Sequence, residues 1–105
     1  MSDTNPVLPI ADLVSYQHGG IVSRQIVKKP TGNITAFAFD AGQELTEHTS
    51  PFDALIEVVE GEATVVIAGR PHAVHAGELI ILPASVPHAV RAEQRFKMLL
   101  TMIRS

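Results

Sequence analysis

Two histidines carry most of the chemistry that this 105-residue sequence could perform. His48 lies within the stretch GQELTEHTSPFDALIEVVEG, and His88 ends the stretch GELIILPASVPH. Neutral imidazoles are good ligands for zinc, iron, copper and nickel, although a closed metal site usually offers three or four side chains. A histidine inside a folded domain can equally be satisfied by a hydroxyl or a backbone carbonyl and line a pocket without any ion. The residue types alone leave both interpretations open.

Other signatures of catalysis are missing from the sequence. The chain has no cysteine, which excludes disulfides and thiolate ligands. It also has no nucleophile elbow and no glycine-rich phosphate loop. We therefore assign no catalytic residue from sequence.

The residues around His48 follow a recognisable spacing. Gly42 lies six positions before His48, and Gly61 ends a β-rich run where a tight turn is the natural interpretation. This resembles the first motif of the cupin superfamily, which reads glycine, five residues, His-x-His, three or four residues, glutamate, six residues, glycine. Two positions depart from that motif, because Ser50 stands in place of the second histidine and Ala54 in place of the glutamate.

The residues around His88 resemble the second cupin motif. That motif reads glycine, five residues, Pro-x-Gly, two residues, histidine, three residues, asparagine, and the chain matches it at Gly77, Pro83 and His88. Ser85 replaces the second glycine and Ala92 replaces the asparagine. The resemblance covers roughly residues 34 to 92 and is specific for fold, whereas the superfamily hosts many functions.

Several expectations follow from this resemblance. It implies an all-β fold, the cupin double-stranded β-helix or jelly-roll barrel, as a single domain over residues 1–105 with its core in 21–103 and an N-terminal arm in 1–20. In metal-binding cupins, two histidines and a glutamate of the first motif and one histidine of the second hold a divalent metal. By position, His48 and His88 remain as candidate ligands for Zn, Fe, Ni, Cu or Mn. Small cupins commonly pair, so we also predict a homodimer, and apolar residues on both faces of the strands favour it.

Short β-rich runs separated by turn residues support the same fold class. Strands are predicted at residues 21–27, 33–40, 55–59, 63–68, 72–75, 79–82 and 95–103. Turns are predicted at residues 28–32 and 69–71. Residues 1–9 are expected to form an arm, and residues 10–16 have a helix-like spacing that is too short to define a helix.

A barrel of this kind would have a mostly apolar interior with a few polar groups, as small-molecule pockets do. We predict that a ligand pocket is lined by Phe37, Phe39, His48, Ser50, Phe52, Ile56, His88, Met98, Leu100 and Met102. Filling the core is the alternative role for most of the phenylalanines and methionines. The remaining histidines, His18, His72 and His75, match no cupin ligand position and are predicted at the surface, and Glu57 and Glu60 are predicted to be solvated.

Charge and hydropathy exclude several partner classes. The net charge is −3 and the largest cationic cluster is the pair Lys28-Lys29, so no nucleic-acid partner is expected. The sequence contains no run of about 18 apolar residues and no N-terminal basic segment followed by an apolar run, so we expect no membrane association and a cytoplasmic location.

Three functional hypotheses remain. The first is a small cupin that binds an unidentified small organic ligand in its barrel. The second is a metal-dependent dioxygenase or isomerase that uses His48 and His88. The third is a non-catalytic structural or interaction protein.

Overall fold

The computed structural model describes residues 7–104, and these form eight β-strands with no α-helix among them. The strands are β1 (Ile21–Lys29), β2 (Gly32–Phe39), β3 (Glu44–His48), β4 (Asp53–Ile67), β5 (Arg70–His75), β6 (Leu79–Leu82), β7 (His88–Arg91) and β8 (Phe96–Ile103). The helix-like spacing at residues 10–16 produces only a three-residue 3-10 helix, Ile10–Asp12. The predicted all-β fold is therefore confirmed. No helix in the described part of the chain is long and apolar enough to cross a membrane.

The strands form two antiparallel sheets that share β4. The first half of β4 pairs with β8 and β6, and the larger sheet continues from β8 through β2 to β1. The second half of β4 pairs with β5 and β7, and β7 pairs in turn with β3. Because one long strand belongs to both sheets, the chain curls into a barrel with an enclosed interior.

Gly61 bends β4 where it passes from one sheet to the other. The predicted turn at Gly61 is wrong, because β4 runs on without interruption to Ile67. The pairing with β8 instead shifts register between Val58 and Glu60, and Gly61 adopts φ +78°. A Cβ at this position would press against the carbonyl oxygen of Arg95. Glycine is thus required twice, for its left-handed backbone and for the close approach of β8.

Other predicted boundaries differ by a few residues. The hairpin after β4 turns at Ala68-Gly69, both of which have positive φ, so Arg70 and Pro71 belong to β5 and not to the predicted turn. The loop predicted at residues 28–32 shrinks to Pro30-Thr31 because β1 and β2 extend into it. β3 and β7, which carry the two histidines, are not among the strands that the sequence pattern predicts.

One end of the barrel is filled by aromatic residues. Phe39 and Phe96 are both fully buried and stack with ring centroids 4.5 Å apart. Met98, Ile56, Val58 and Val65 are 0–1% exposed and pack in the same cluster. These side chains fill the interior of the barrel at this end.

The N-terminal segment packs on the outer face of the larger sheet. Val14 is buried against Ala36 and Ala38, on the face opposite the phenylalanines. The Tyr16 hydroxyl donates to Glu60 Oε2 at 2.6 Å, so Glu60 is partnered and the prediction that it is simply solvated is wrong. Burial and this hydrogen bond raise the pKa of Tyr16. Of the arm predicted at residues 1–20, residues 1–6 lie outside the described residues.

An ion pair anchors the end of this segment. Asp40 accepts from Arg95 Nε at 2.8 Å and from the backbone N–H of Gly19 at 2.7 Å. The Arg95 hydrogen bond, assisted by that of Gly19, lowers the pKa of Asp40 to about 2. The carboxylate therefore stays ionised, and holds the turn before β1 against the loop before β8, at any pH near neutrality.

Candidate functional site

His48 and His88 meet as a cross-strand pair at one end of the smaller sheet. His48 ends β3, His88 begins β7, and the register places them directly opposite each other. Their ring centroids are 4.4 Å apart and the ring planes are inclined by 68°, an edge-to-face arrangement. His88 is buried and His48 is exposed. The pair thus connects the barrel interior to solvent.

Backbone carbonyls fix the orientation of both rings. His48 Nδ1 lies 2.8 Å from the carbonyl oxygen of Thr46, and His88 Nδ1 lies 3.2 Å from that of Val86. A carbonyl oxygen can only accept, so each Nδ1 must carry the proton in these bonds. In the neutral ring this leaves Nε2 with a free lone pair, which is the tautomer that can accept a proton or bind a cation.

Burial keeps His88 neutral at physiological pH. Desolvation lowers the pKa of His88, the hydrogen bond to Val86 opposes that shift, and the neighbouring His48 lowers the pKa further. Protonating both rings would place two positive charges within a few ångströms of each other. At pH 7 the Nε2 atom of the buried ring is therefore an acceptor, while Nδ1–H donates to Val86.

A small cavity lies beneath the pair inside the barrel. Its volume is about 30 Å³, enough for one or two water molecules and far below the roughly 300 Å³ at which ordinary ligand pockets begin. Side chains of both sheets line it: Leu45, His48, Ile56, Leu82, His88, Val90, Met98 and Leu100. Apart from the two imidazoles, these lining side chains are all apolar.

The structure brings together half of the predicted pocket residues. His48, Ile56, His88, Met98 and Leu100 line this cavity. The others lie elsewhere. Phe39 is in the aromatic stack and Phe37 packs beside it, with 6.0 Å between ring centroids. Phe52 and Met102 line a neighbouring cavity at the same end of the barrel.

Three lining residues are missed by the sequence prediction. Leu45, Leu82 and Val90 belong to β3, β6 and β7. Successive side chains of a strand point to opposite faces, so pairing β6 and β7 with β4 could have placed Leu82 and Val90 inward. Leu45 had no such signal, because β3 is short and mostly exposed.

Ser50 and Ala54 do not complete a metal centre. Ser50 Oγ accepts from the backbone N–H of Phe52 at 3.2 Å, which ties the hydroxyl into a local turn. Ala54 lies in the apolar core, paired across the sheet with Leu82 and Met102. Within residues 7–104 no three His, Asp or Glu side chains come together as a metal site. His48 and His88 can therefore serve as two ligands of a cupin metal centre, whereas Ser50 and Ala54 cannot supply the other two.

The two residues that depart from the second motif, Ser85 and Ala92, preserve its backbone structure although their side chains differ from those of the motif. Ser85 adopts φ +65°, the left-handed conformation that glycine would take without strain, and its N–H donates to the Ser50 carbonyl at 2.7 Å. Ala92 exchanges two backbone hydrogen bonds with the start of the first motif, donating to Gln43 and accepting from Gly42. Both motifs therefore still pack on each other as backbone.

The other histidines lie at the surface, as predicted. His18 is 99% exposed and sits 3.8 Å from Asp40. His72 is exposed on β5. His75 is exposed between Glu62 and Glu78, at 2.9 and 3.1 Å. None of them lines the cavity beneath the pair.

Comparison with known proteins places the fold. The model of the cupin domain family matches residues 36–103. A conserved protein of unknown function from Streptococcus pyogenes is 33% identical, with a TM-score of 0.92 over 99% of this chain and 91% of its own. A cupin 2 conserved barrel domain protein from Leptotrichia buccalis is 44% identical, with a TM-score of 0.87 over 90% of this chain. The match spans 46% of that protein, less than half of its length.

More distant structures share the fold alone. Salicylate 1,2-dioxygenase from Pseudaminobacter salicylatoxidans is 20% identical, with a TM-score of 0.75 over 89% of this chain and 29% of its own. No curated protein matches the sequence. The family match over the barrel strands, together with the two motif segments that face each other across it, shows that this chain belongs to the cupin domain family.

Proposed function

We propose that the protein binds a small organic molecule at the open end of its barrel, with His48 and His88 orienting the ligand. The observation that carries the proposal is the edge-to-face imidazole pair, whose Nδ1 atoms are both occupied by carbonyls. A ring in its neutral form then presents Nε2 as an acceptor. A ligand hydroxyl or ammonium group would satisfy these acceptors.

The cavity size indicates how such a ligand would sit. About 30 Å³ admits only the tip of an organic molecule, and the apolar walls supplied by Ile56, Met98 and Leu100 favour a non-polar tip. Because His48 is exposed, the rest of the ligand would lie at the mouth beside it. A small molecule with a donor group next to an apolar end fits both features.

A metal-dependent oxygenase or isomerase is the second candidate. Two imidazole nitrogens are available for a metal, but Ser50 and Ala54 supply neither of the two further donors. Three-side-chain coordination is usual for catalytic metals, so this chain supports a binding role better than metal catalysis. The likeness to salicylate 1,2-dioxygenase is one of fold and carries no reaction over to this protein.

Nuclear magnetic resonance can test the binding proposal. The probes are small phenols, aliphatic alcohols and amines, titrated while the Cε1–H signals of the histidines are recorded. We expect at least one class of probe to shift the His48 and His88 signals saturably in the wild type. The same response is expected in the control variant His72→Gln, because His72 lies away from the site. Loss of the response in His88→Gln would support the proposal, whereas equal binding by that variant, or no response from any class, would overturn it.

We also propose that two copies associate through the outer face of the larger sheet. Val27, Ile34, Thr101, Leu55 and Ile81 pair directly across five strands and form an outer row. Five strands spaced by about 4.8 Å make this row about 19 Å wide. Leu79 and Ile103 extend it, and each is more than half exposed. The predicted cytoplasmic location and the absence of a nucleic-acid partner stay predictions.

A further inference from the structure

A second cavity adjoins the histidine cavity and has the opposite character. Its volume is about 170 Å³, and it is lined by Lys28, Lys29, Asn33, Phe52, Met102 and Arg104, besides the backbone at Gly32. Three of the eight lysines and arginines of the chain therefore line one cavity, although the net charge of the chain is −3. Among the residues that the structure describes, no carboxylate is part of this lining.

The three cations have no acidic partners in the described part of the chain. The ion pairs found there involve His18, His75 and Arg95, and none includes Lys28, Lys29 or Arg104. The strand register places Lys29 on the opposite face of the sheet, beside Ile103, so Lys28 and Arg104 are the cations that share this concave space. Their positive charges repel each other, and an anion would relieve that repulsion.

Arg104 is held in place by uncharged groups. Its Nη1 donates to the Pro30 carbonyl at 3.4 Å, and its guanidinium carbon lies 4.6 Å from the centroid of the Phe52 ring. Its backbone N–H donates to the Thr31 carbonyl at 2.8 Å. These contacts position the guanidinium without cancelling its charge, and leave further N–H donors for a planar anion.

The strand register fixes the position of this cavity relative to the histidines. Lys28, Asn33 and Met102 are direct cross-strand neighbours, so they share one face of the sheet. Leu100, which lines the histidine cavity, lies on that face two residues before Met102. Two residues of extended chain span about 7 Å, so the two cavities are neighbours along β8.

We propose that this second cavity is an anion subsite that takes a small organic carboxylate. Lys28 and Arg104 would hold the carboxylate, and Phe52 and Met102 would contact the attached apolar group. The inference does not depend on the histidine pair binding anything. If both proposals hold, one ligand of suitable length could occupy both cavities.

Titration of three probes followed by ¹⁵N–¹H NMR tests the subsite. Benzoate supplies a carboxylate on an apolar ring, benzyl alcohol is its neutral counterpart, and inorganic phosphate is an anion without an apolar part. We expect benzoate to shift the backbone amides of Asn33 and Arg104 saturably, and added sodium chloride to weaken the binding because the cations are exposed. If benzyl alcohol binds as tightly as benzoate, the negative charge does not contribute to binding and the proposal is overturned. If phosphate binds as tightly as benzoate, the apolar group does not contribute, and the proposal of an organic ligand is overturned.

Single-charge variants locate the binding. Lys28→Gln and Arg104→Gln should each weaken benzoate binding by about tenfold, since each removes one charged hydrogen-bond donor. Arg70→Gln removes a charge from the exposed start of β5 and should leave the affinity unchanged. Equal weakening in all three variants would mean a general effect of net charge and would contradict the site.

One further variant separates the two proposals. Benzoate binding that persists in His88→Gln would show that the anion subsite acts by itself, whatever the outcome at the histidine pair. If benzoate binding is lost in His88→Gln but kept in Arg104→Gln, the anion binds at the histidines, and the proposed anion subsite is overturned.

Discussion

His88 couples the candidate site to the stability of the fold. Burial lowers the pKa of His88 in the folded state relative to the ordinary value of 6.5. The unfolded chain therefore binds the proton more readily, and the free energy of unfolding should be greatest above about pH 6.5 and decrease as the pH falls toward the lowered folded-state pKa. Urea unfolding between pH 5 and 8 measures this dependence.

The matched variant is His88→Gln, which keeps a polar side chain at the position and cannot titrate. Its free energy of unfolding should vary less with pH than that of the wild type. Parallel pH profiles for the two proteins would show that His88 does not contribute, and that another group carries whatever acid sensitivity remains.

Metal affinity is the second prediction at the scale of residues. Structural zinc sites with four ligands bind with about 10–16 kcal/mol, so two imidazoles alone should contribute about half of that. We expect zinc or nickel to bind with a dissociation constant on the order of 1 µM to 0.1 mM. Isothermal titration calorimetry measures it, and a dissociation constant far below this range that is lost in His88→Ala would show that a further donor completes the shell.

Motif spacing predicted the two imidazoles of the site but could not predict its size. His48 and His88 come together because their strands pair, and the glycine and proline positions of the two motifs preserve that pairing. The volume left beneath them depends instead on how Met98, Leu100 and Leu82 fill the interior. Packing of that kind is decided by contacts between distant residues, which spacing along one chain does not record.

The bend in β4 requires a residue without a side chain at position 61. Gly61→Ala should place a Cβ against the backbone of Arg95 in addition to straining φ, and the neighbouring strand cannot move without disturbing the stacked Phe96. We expect a loss of more than about 3 kcal/mol in the free energy of unfolding. Chemical denaturation of the purified variant measures this loss.

Gly77→Ala is the matched control for that change. Gly77 has a similar positive φ of +89°, but no described atom beyond its two chain neighbours lies within 4 Å of the point that an alanine Cβ would occupy. The substitution should therefore cost only the backbone strain, about 1–2 kcal/mol. Equal losses at both glycines would show that the contact with Arg95 is relieved without cost and that only φ matters.

Sequence patterns predicted strands well where apolar residues alternate, as along β8 and β2. They failed for β3 and β7, which are five and four residues long and whose burial depends on pairing with each other and with β4. They also failed at Gly61, because a glycine with positive φ can either end a strand or bend it. Only the partner strand, which shifts register at this point, distinguishes the two.

At the scale of the whole molecule, the N-terminal segment covers one part of the outer face of the larger sheet and leaves another part free. Val14 and its neighbours cover Ala36 and Ala38, so this part is already buried within one chain. No other described residue covers the outer row from Val27 to Ile81, and a groove of about 360 Å³ lies at its β6 end, between Leu55, Ile81 and Ile103. A second copy can cover this apolar area with the same area of its own, which is how a twofold dimer is built.

The homodimer leads to the last prediction. Sedimentation velocity on the wild type should give twice the chain mass of 11.3 kDa. Ile81→Lys places a charge at a position that is 62% exposed in the single chain, so it should leave the fold intact and shift the protein to monomer, because a charge buried in the interface lacks a partner. Ala73→Lys, on the exposed side of β5, is the control and should remain dimeric. A wild-type monomer at all concentrations, or an Ile81→Lys protein that is as dimeric as Ala73→Lys, would show that this face is not where two copies meet.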